Sequence, residues 1–234
     1  VYKRQVLTRL AARYPFDAFI DAHRRMAERL KRAAGEEALR VKADEAKKLP
    51  RATLETTQGD VVLELFHDDA RNTVFNFVWI AKHGFYDDCA VHRTVPFFCA
   101  QTGDPFSRKA SSRPALVGSG TPGYAIPTEV GKRWPLRGYV ALANGGQNTD
   151  GSQFMFFTGT AVHLRGEVTV FARVVEGMDV VDRLQAGAAG GGAPDRIVKV
   201  TVTGLDPERT YQPNTLAGNR APPPTVPPVR GDPK

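Results

Sequence analysis

Apolar positions follow a helical period before Pro50 and a strand period after it. In residues 6–49 they recur every three or four positions, which predicts helix with an interruption at Gly35 and with Asp17 as the N-terminal cap. The residues of this apolar stripe are Phe16, Phe19, Ile20, His23, Ala27 and Leu30. We therefore expect a helical extension over residues 1–50.

After Pro50 the alternation of apolar and polar residues is typical of half-buried strands. Residues 52–66 contain two such runs around residues 58–60, which predicts a hairpin. Further strands are predicted around residues 89–95, 98–102, 138–143, 153–158, 168–174 and 196–204, the last with Val198, Val200 and Val202 on one face.

Only two segments beyond residue 50 have a helical pattern, residues 68–84 and residues 177–185. A parallel sheet needs a crossover connection, usually a helix, between successive strands. Many short strands with only two helices therefore favour an antiparallel barrel or sandwich.

Composition separates the end of the chain from its middle. We expect one globular domain over residues 51–206, whereas residues 207–234 are polar and rich in proline and are expected to be a disordered tail with polyproline II character. A docking role for this tail is the alternative. The opening VYKRQ is what a transposon-end sequencing adapter encodes, so we expect residues 1–5 to be an artefact and the natural chain to be truncated there.

The overall composition favours a soluble protein. No apolar stretch approaches the roughly 18 residues that a membrane helix needs, so no membrane span is predicted. The net charge of +7 is compatible with nucleic-acid binding, but the densest basic patch, residues 23–32, contains Glu28 and is typical of a solvated helix face. We expect no nucleic-acid partner. The compartment stays open between cytoplasm and periplasm.

Several familiar motifs are absent or incomplete. Cys89 and Cys99 form no CxxC pair, and the five histidines form no HExxH or HxxxH pair, so no metal site is predicted. GSGTPG at 118–123 has the glycine spacing of a dinucleotide site, but Pro122 and Pro127 prevent the helix which that site requires. No cofactor is predicted.

Three segments combine a cation, apolar side chains and a small polar loop. They are VHRTVPFFCAQTGDPF (91–106), ALANGGQNTDGSQFMFF (141–157) and HLRGEVTVF (163–171). Together they resemble the cyclophilin family of peptidyl-prolyl isomerases, over residues 53–203. The loop GSGTPGYAIPTE (118–129) resembles that of the compact prokaryotic branch of the family.

The resemblance implies a mainly β fold, a closed eight-stranded antiparallel barrel capped by two helices, with a groove on the outside of the barrel. It also implies isomerisation of proline-containing polypeptides, in support of protein folding, by a monomer without a cofactor. Arg93 takes the place of the catalytic arginine. The positions that match substrate-binding residues are Phe98, Cys99, Gln101, Ala143, Asn144, Gln153, Met155, His163 and Leu164.

Four positions depart from the family pattern. Cys99 replaces methionine, Met155 replaces phenylalanine, Val168 replaces histidine and His163 replaces tryptophan. We expect Cys99 to be an inert apolar residue and His92 to be a packed residue rather than a base. Loss of the tryptophan predicts weak cyclosporin binding, and a proline-binding or chaperone module with reduced turnover is the alternative function.

Overall fold

The computed structural model describes residues 5, 6, 9, 18–109, 111, 113–187 and 192–225 of the 234-residue chain. The chain divides into two compact units, Val1–Lys47 and Lys48–Lys234. The predicted cap Asp17 lies outside the described residues, as does Phe16 of the apolar stripe.

In the first unit a continuous helix, α1, covers Ala18–Glu45. The predicted interruption at Gly35 is wrong, because a single glycine costs a helix only about 1 kcal/mol. Ion pairs at helical spacing offset part of that cost, among them Arg32 with Glu36 at 2.7 Å and Arg40 with Glu37 at 2.6 Å. No helix in the described part of the chain is both long and apolar enough to cross a membrane.

The second unit is built on one curled sheet of eight antiparallel strands, in the order β3-β4-β6-β5-β7-β2-β1-β8. The strands are β1 (Arg51–Thr56), β2 (Gly59–Leu65), β3 (Arg93–Val95), β4 (Cys99–Thr102), β5 (Tyr139–Leu142), β6 (Phe154–Phe157), β7 (Val170–Glu176) and β8 (Ile197–Thr203). The predicted hairpin is confirmed, since β1 pairs with β2 across a two-residue turn that joins Thr56 to Gly59.

The prediction of a closed barrel is wrong. Among the described residues no strand ladder joins the edge strands β3 and β8. The backbone just before β3 meets the start of β8 instead, through the bridge between Ala90 and Arg196 and a 2.8 Å hydrogen bond from the Asp88 amide to the Ile197 carbonyl. The sheet is thus a half-barrel, open along this seam.

Two helices in the described part of the second unit pack against the core of the half-barrel. They are α2 (Arg71–Lys82) and α3 (Met178–Arg183). Both contribute to the apolar cluster inside the sheet, which includes Leu54, Val61, Leu63, Leu65, Val74, Phe77, Val78, Phe154, Phe156, Phe171, Val180 and Val181. The period of two in β2 and the helical stripe of α2 therefore point to the same core.

The shared face predicted for β8 is interrupted. Ile197 and Val200 are buried, but Val198 is 54% exposed. The register between β1 and β8 shifts at Glu55 and Thr56, and this irregularity places Val198 on the solvent side. A bulge of this kind reverses the alternation that a regular strand pattern predicts.

Residues 207–225, here called the C-terminal strap, pack against α2. The prediction that this segment is disordered is therefore wrong. The ring of Tyr211 is 6% exposed and lies 5.0 Å from the ring of Phe75, and its hydroxyl oxygen accepts the Asp206 amide hydrogen at 3.0 Å. The indole N–H of Trp79 donates to the Pro222 carbonyl at 3.1 Å. A few anchors thus order a proline-rich segment; residues 226–234 lie outside the described residues.

We expect Tyr211→Ala to destabilise the protein by about 3 kcal/mol, the usual cost of removing a buried aromatic ring. Chemical denaturation measures the change. Leu216→Ala is the matched control in the same strap, because Leu216 is 50% exposed and should change the unfolding free energy by less than about 0.5 kcal/mol. Equal effects of the two substitutions would show that the strap does not pack as described.

Candidate active site

One row of side chains crosses the outer face of the sheet. Arg93 on β3 lies opposite Gln101 on β4, and Gln101 lies opposite Met155 on β6. Met155 in turn lies opposite Ala141 on β5. Residues directly opposite each other in adjacent strands project from the same face, so these four side chains form a continuous line from a cation to an apolar surface.

The apolar end of the row belongs to a second cluster, separate from the core inside the sheet. Its buried members are Leu49, Phe66, Cys99, Tyr139, Ala141, Met155, Phe157, Ala161, Val168 and Val170, with Phe98, Leu136, Ala143 and Leu164 partly buried against them. Alternate residues of the same strands, such as Ala100 and Phe156, face the inner core. Because side chains alternate between the two faces of a strand, β4, β5 and β6 contribute both to the core and to this second cluster, here called the outer floor.

Arg93 lies at the rim of this floor with an exposed side chain. Its Nη1 is 3.4 Å from both Cys99 Sγ and Gln101 Oε1, and its guanidinium carbon is 5.8 Å from the centre of the Phe98 ring. Both hydrogen bonds are long, so the guanidinium is held in place but keeps donors available for a ligand.

Gln101 and Gln153 link Arg93 to the neighbouring loop. Gln101 donates through Nε2 to Gln153 Oε1 at 3.0 Å. Gln153 donates through its own Nε2 to the carbonyls of Gly118 (3.0 Å) and Gly120 (2.9 Å) and to Asp104 Oδ2 (3.3 Å). These acceptors fix the orientation of the Gln153 amide, which fixes that of Gln101 and turns the Gln101 oxygen towards Arg93.

Asp104 is a site residue that the sequence analysis missed. It is fully buried, and its carboxylate accepts the amide hydrogens of Phe106 (2.7 Å), Gly118 (2.5 Å) and Gly120 (3.0 Å) in addition to the Gln153 contact. An aspartate directly before Pro105 is a helix-start signal that could have indicated an ordered carboxylate here.

Gly103 allows the chain to bring Asp104 next to Gln153. Its φ of +83° lies in the left-handed region, and a Cβ at this position would lie 2.5 Å from the Ser152 carbonyl oxygen. Only glycine fits this close approach.

The polar loop after β5 forms the second wall of the site. The Asn144 side chain donates to the Glu167 carbonyl at 3.1 Å, and its Oδ1 accepts the Gly146 amide hydrogen at 3.3 Å, so this side chain holds the loop. The structure does not bring it to Arg93. Between this loop and residues 118–121 lies a cleft of about 330 Å³, which Gln101, Ala143 and Gln153 also line.

The remaining predicted residues lie around Phe98. Phe98 has its ring 6.3 Å from Phe157 and 5.5 Å from His163. His163 and Leu164 belong to a 3₁₀ turn, Val162–Leu164, in which His163 is exposed and Leu164 is partly buried against the floor. The structure therefore brings the predicted residues to one surface, apart from the side chain of Asn144.

Burial favours the neutral forms of Cys99 and His92. It raises the pKa of the Cys99 thiol, although Arg93 opposes the shift, so the sulfur is a protonated, small apolar group. Burial also lowers the pKa of His92, although Asp104 opposes the shift. No group of three potential metal ligands occurs among the described residues.

The family model for cyclophilin type peptidyl-prolyl cis-trans isomerases matches residues 51–204, about two thirds of the chain. The chain therefore belongs to this family, and its activity is peptidyl-prolyl cis-trans isomerisation, as the sequence motifs predicted. A peptidyl-prolyl cis-trans isomerase of Helicobacter pylori is 38% identical over 151 residues, 63% of this chain and 87% of that protein. One of Synechococcus elongatus is 37% identical over 156 residues, 66% of this chain and 97% of that protein.

A solved structure supports the fold. The crystal structure of a cyclophilin type isomerase of Cryptosporidium parvum superposes with a TM-score of 0.57 at 22% identity, covering 68% of this chain and 99% of that one. At this identity the likeness establishes the cyclophilin fold alone. The strap lies outside the residues that the family model matches.

We expect Asp104→Asn to lower kcat/KM about tenfold, equivalent to about 1.4 kcal/mol. The amide keeps the volume but places a donor where the structure supplies only donors, which disturbs Gln153 and, through it, Gln101. The measurement is isomerisation of a short Xaa-Pro peptide, with thermal unfolding as the folding control.

The Gln153→Ala variant tests whether Asp104 acts by orienting Gln153 or has a general structural effect. If Asp104 acts through Gln153, then Asp104→Asn should cause little further loss of kcat/KM in the Gln153→Ala protein. Losses that multiply in the double variant would contradict this role.

Proposed function

We propose that Arg93 is the catalytic residue of this isomerase and that the outer floor binds the proline ring. The observation that supports this is the juxtaposition of an exposed guanidinium with a buried apolar cluster on the same strand face. The family relationship gives the activity, and the contacts around Arg93 favour this assignment of roles.

The reaction is a rotation about a partial double bond. Amide resonance gives a barrier of about 18–20 kcal/mol, and uncatalysed exchange of an Xaa-Pro bond takes on the order of tens to hundreds of seconds. In the twisted transition state the prolyl nitrogen regains a localised lone pair, which is an acceptor that neither planar state offers. A donor aimed at this nitrogen therefore binds the transition state more tightly than the ground states.

Arginine meets that requirement because it stays charged and carries several donors in a rigid, planar fork. The contact from Gln101 Oε1 to Arg93 Nη1 orients the fork without neutralising it. No covalent bond forms or breaks during rotation, so the reaction needs neither a nucleophile nor a proton carrier.

We further propose that the substrates are proline-containing polypeptides bound by a monomer. The apolar floor holds the ring, and the small residues of the loop after Ala143 let an extended backbone approach. A related cyclophilin of Cryptosporidium parvum was crystallised in the presence of the dipeptide Ala-Pro, which supports the same ligand class for this chain. Nucleic acid is not among the proposed partners.

A proline-binding or chaperone module with reduced turnover is the second candidate function. The residues of the outer floor favour it, because Cys99 is small and Met155 is flexible. A proline ring would be held less rigidly here than by the methionine and phenylalanine that the family has at these two positions. Tight binding of a proline peptide without acceleration of its isomerisation would select this alternative.

We expect Arg93→Ala to lower kcat/KM by about one to two orders of magnitude, because a charged hydrogen bond is worth roughly 1.5–3 kcal/mol. Arg93→Lys should restore only part of the activity, since an ammonium group lacks the planar fork. The exposed position of Arg93 predicts an unchanged melting temperature.

Phe98→Ala is the control for binding. Phe98 packs on the floor, so its loss should raise KM as well as reduce kcat/KM. If folded Arg93→Ala protein isomerises an Xaa-Pro peptide as fast as the parent, Arg93 is not catalytic and the binding-module interpretation replaces this one.

We expect weak inhibition by cyclosporin and stronger inhibition of the His163→Trp variant. His163 is exposed beside Phe98, and an indole there would add apolar contact area and a hydrogen-bond donor. Inhibition constants for the two proteins test this, and tight inhibition of the parent chain would contradict it.

A further inference from the structure

The first half of residues 118–125, here called the cleft loop, lines the cleft beside Gln101. The structure describes all of these residues and places none of them in a helix or strand. Gly118 and Gly123 have φ values of +99° and +91°, a conformation that glycine enters and leaves at no steric cost. Such a segment keeps one conformation only where neighbouring elements hold it.

Asp104 and Gln153 hold the beginning of the cleft loop. Asp104 Oδ2 accepts the amide hydrogens of Gly118 and Gly120. The carbonyls of the same two glycines accept from Gln153 Nε2. If the loop moves, the Gln153 amide therefore loses two of its acceptors, and the Gln101 amide, which donates to Gln153, loses its orientation as well.

The C-terminal strap holds the other half of the cleft loop. The Leu216 amide donates to the Ala125 carbonyl at 3.1 Å. The amide and the hydroxyl of Thr225 both donate to the Pro122 carbonyl, at 2.9 Å and 3.3 Å. A Cβ on Gly123 would lie 2.5 Å from Thr225 Oγ1, so the strap lies directly against the loop.

The strap is itself fixed to α2. Besides the aromatic contacts described above, the Asn72 side chain accepts the Asn214 amide hydrogen at 2.8 Å and donates to the Asn214 carbonyl at 2.9 Å. Helix α2 also holds the loop directly, since the Tyr124 hydroxyl donates to Asn76 Oδ1 at 2.9 Å. The strap and α2 therefore hold residues 122–125 together.

We propose that the strap is a positioning element of the active site. By holding residues 122–125 it keeps the beginning of the loop at Gln153, which orients Gln101 and, through it, the Arg93 guanidinium. The strap acts through these side chains and has no contact with the reacting amide. The inference rests on the proposed function of Arg93, and it adds a segment beyond residues 51–204, the part that the family model matches.

Leu216→Pro is the variant that tests the proposal most directly. Leu216 is the second residue of a turn in which the Gly218 amide donates to the Thr215 carbonyl at 2.9 Å. Proline is favoured at the second position of such turns and has no amide hydrogen, so the variant keeps the turn and removes the donor to Ala125. Leu216→Ala is the matched control, because it shortens the side chain and keeps the amide.

We expect kcat for a short Xaa-Pro peptide to fall about three- to fivefold when the full chain carries Leu216→Pro. The loss is smaller than that expected for Asp104→Asn, because Tyr124 and Thr225 still hold the loop. KM should change by less than about 1.5-fold, since the outer floor that binds the ring is built from other segments. In the Gln153→Ala background the same substitution should cause little further loss. Leu216→Ala should keep the kcat of the parent.

NMR spectroscopy gives a readout that a loss of stability alone would not change. The side-chain amide signal of Gln153 in isotopically labelled protein, assigned by its absence in Gln153→Ala, should shift in Leu216→Pro and not in Leu216→Ala. Thr225→Pro removes both donors to Pro122, so it should shift the same signal and lower kcat, with Thr225→Ser as its control. This second pair tests the inference if Leu216→Pro does not fold.

Two results would overturn the inference. The first is an unshifted Gln153 signal together with the parent's kcat in both proline variants. The second is a loss of kcat that is undiminished in the Gln153→Ala background, because the strap would then act on stability and not through Gln153. Either result leaves the proposed function intact if Arg93→Ala loses activity in the same assay. Full activity of folded Arg93→Ala protein would refute the proposed function, and the inference with it.

Discussion

The cross-strand register of β3, β4, β6 and β5 determines where the side chains of the candidate active site lie. Each of Arg93, Gln101, Met155 and Ala141 is the direct partner of the next, so one line of side chains runs across four strands. A slip of one residue in any pair would turn its side chains to the other face. The core prevents such a slip, because the intervening residues Ala100, Val140 and Phe156 are packed inside the half-barrel.

Burial inside the sheet thereby fixes the chemistry outside it. Asp104, buried and bonded to three backbone amides, orients Gln153, and Gln153 orients Gln101. The side-chain amides of Gln153 and Gln101 can then satisfy their hydrogen bonds in only one orientation. In that orientation Gln101 Oε1 faces Arg93. An exposed arginine alone would lose side-chain entropy when it engages a ligand, and this chain of contacts reduces that loss in advance.

The sequence predicted that these side chains share one surface, because motifs and strand periods are local properties. Arg93, Gln101 and Met155 were identified from two continuous segments, and the structure places them side by side. Asp104 was missed because its role depends on residues 118–120, which are distant in sequence. The continuity of α1 through Gly35 was missed because one unfavourable residue is outweighed by the rest of a long helix.

Other errors came from contacts that no single segment reveals. The exposure of Val198 follows from the register of β8 on β1. The open seam reflects which strands pair across the sheet, since no ladder joins β3 to β8 in the part of the chain that the structure describes. The order of the strap depends on Trp79 and Phe75, which lie more than a hundred residues before their partners. Composition alone predicts that such a segment is disordered, because it contains no information about the distant residues that the segment contacts.

The central claim is that Arg93 stabilises the twisted amide more than it stabilises either planar state. Exchange NMR of a proline peptide with Arg93→Ala protein measures ground-state affinity and isomerisation rate in one experiment. We predict that Kd changes by less than about threefold, whereas the catalysed rate falls about ten- to a hundredfold, the range given by a charged hydrogen bond of roughly 1.5–3 kcal/mol. A loss of affinity as large as the loss of rate would mean that Arg93 binds the substrate uniformly, and would contradict the account.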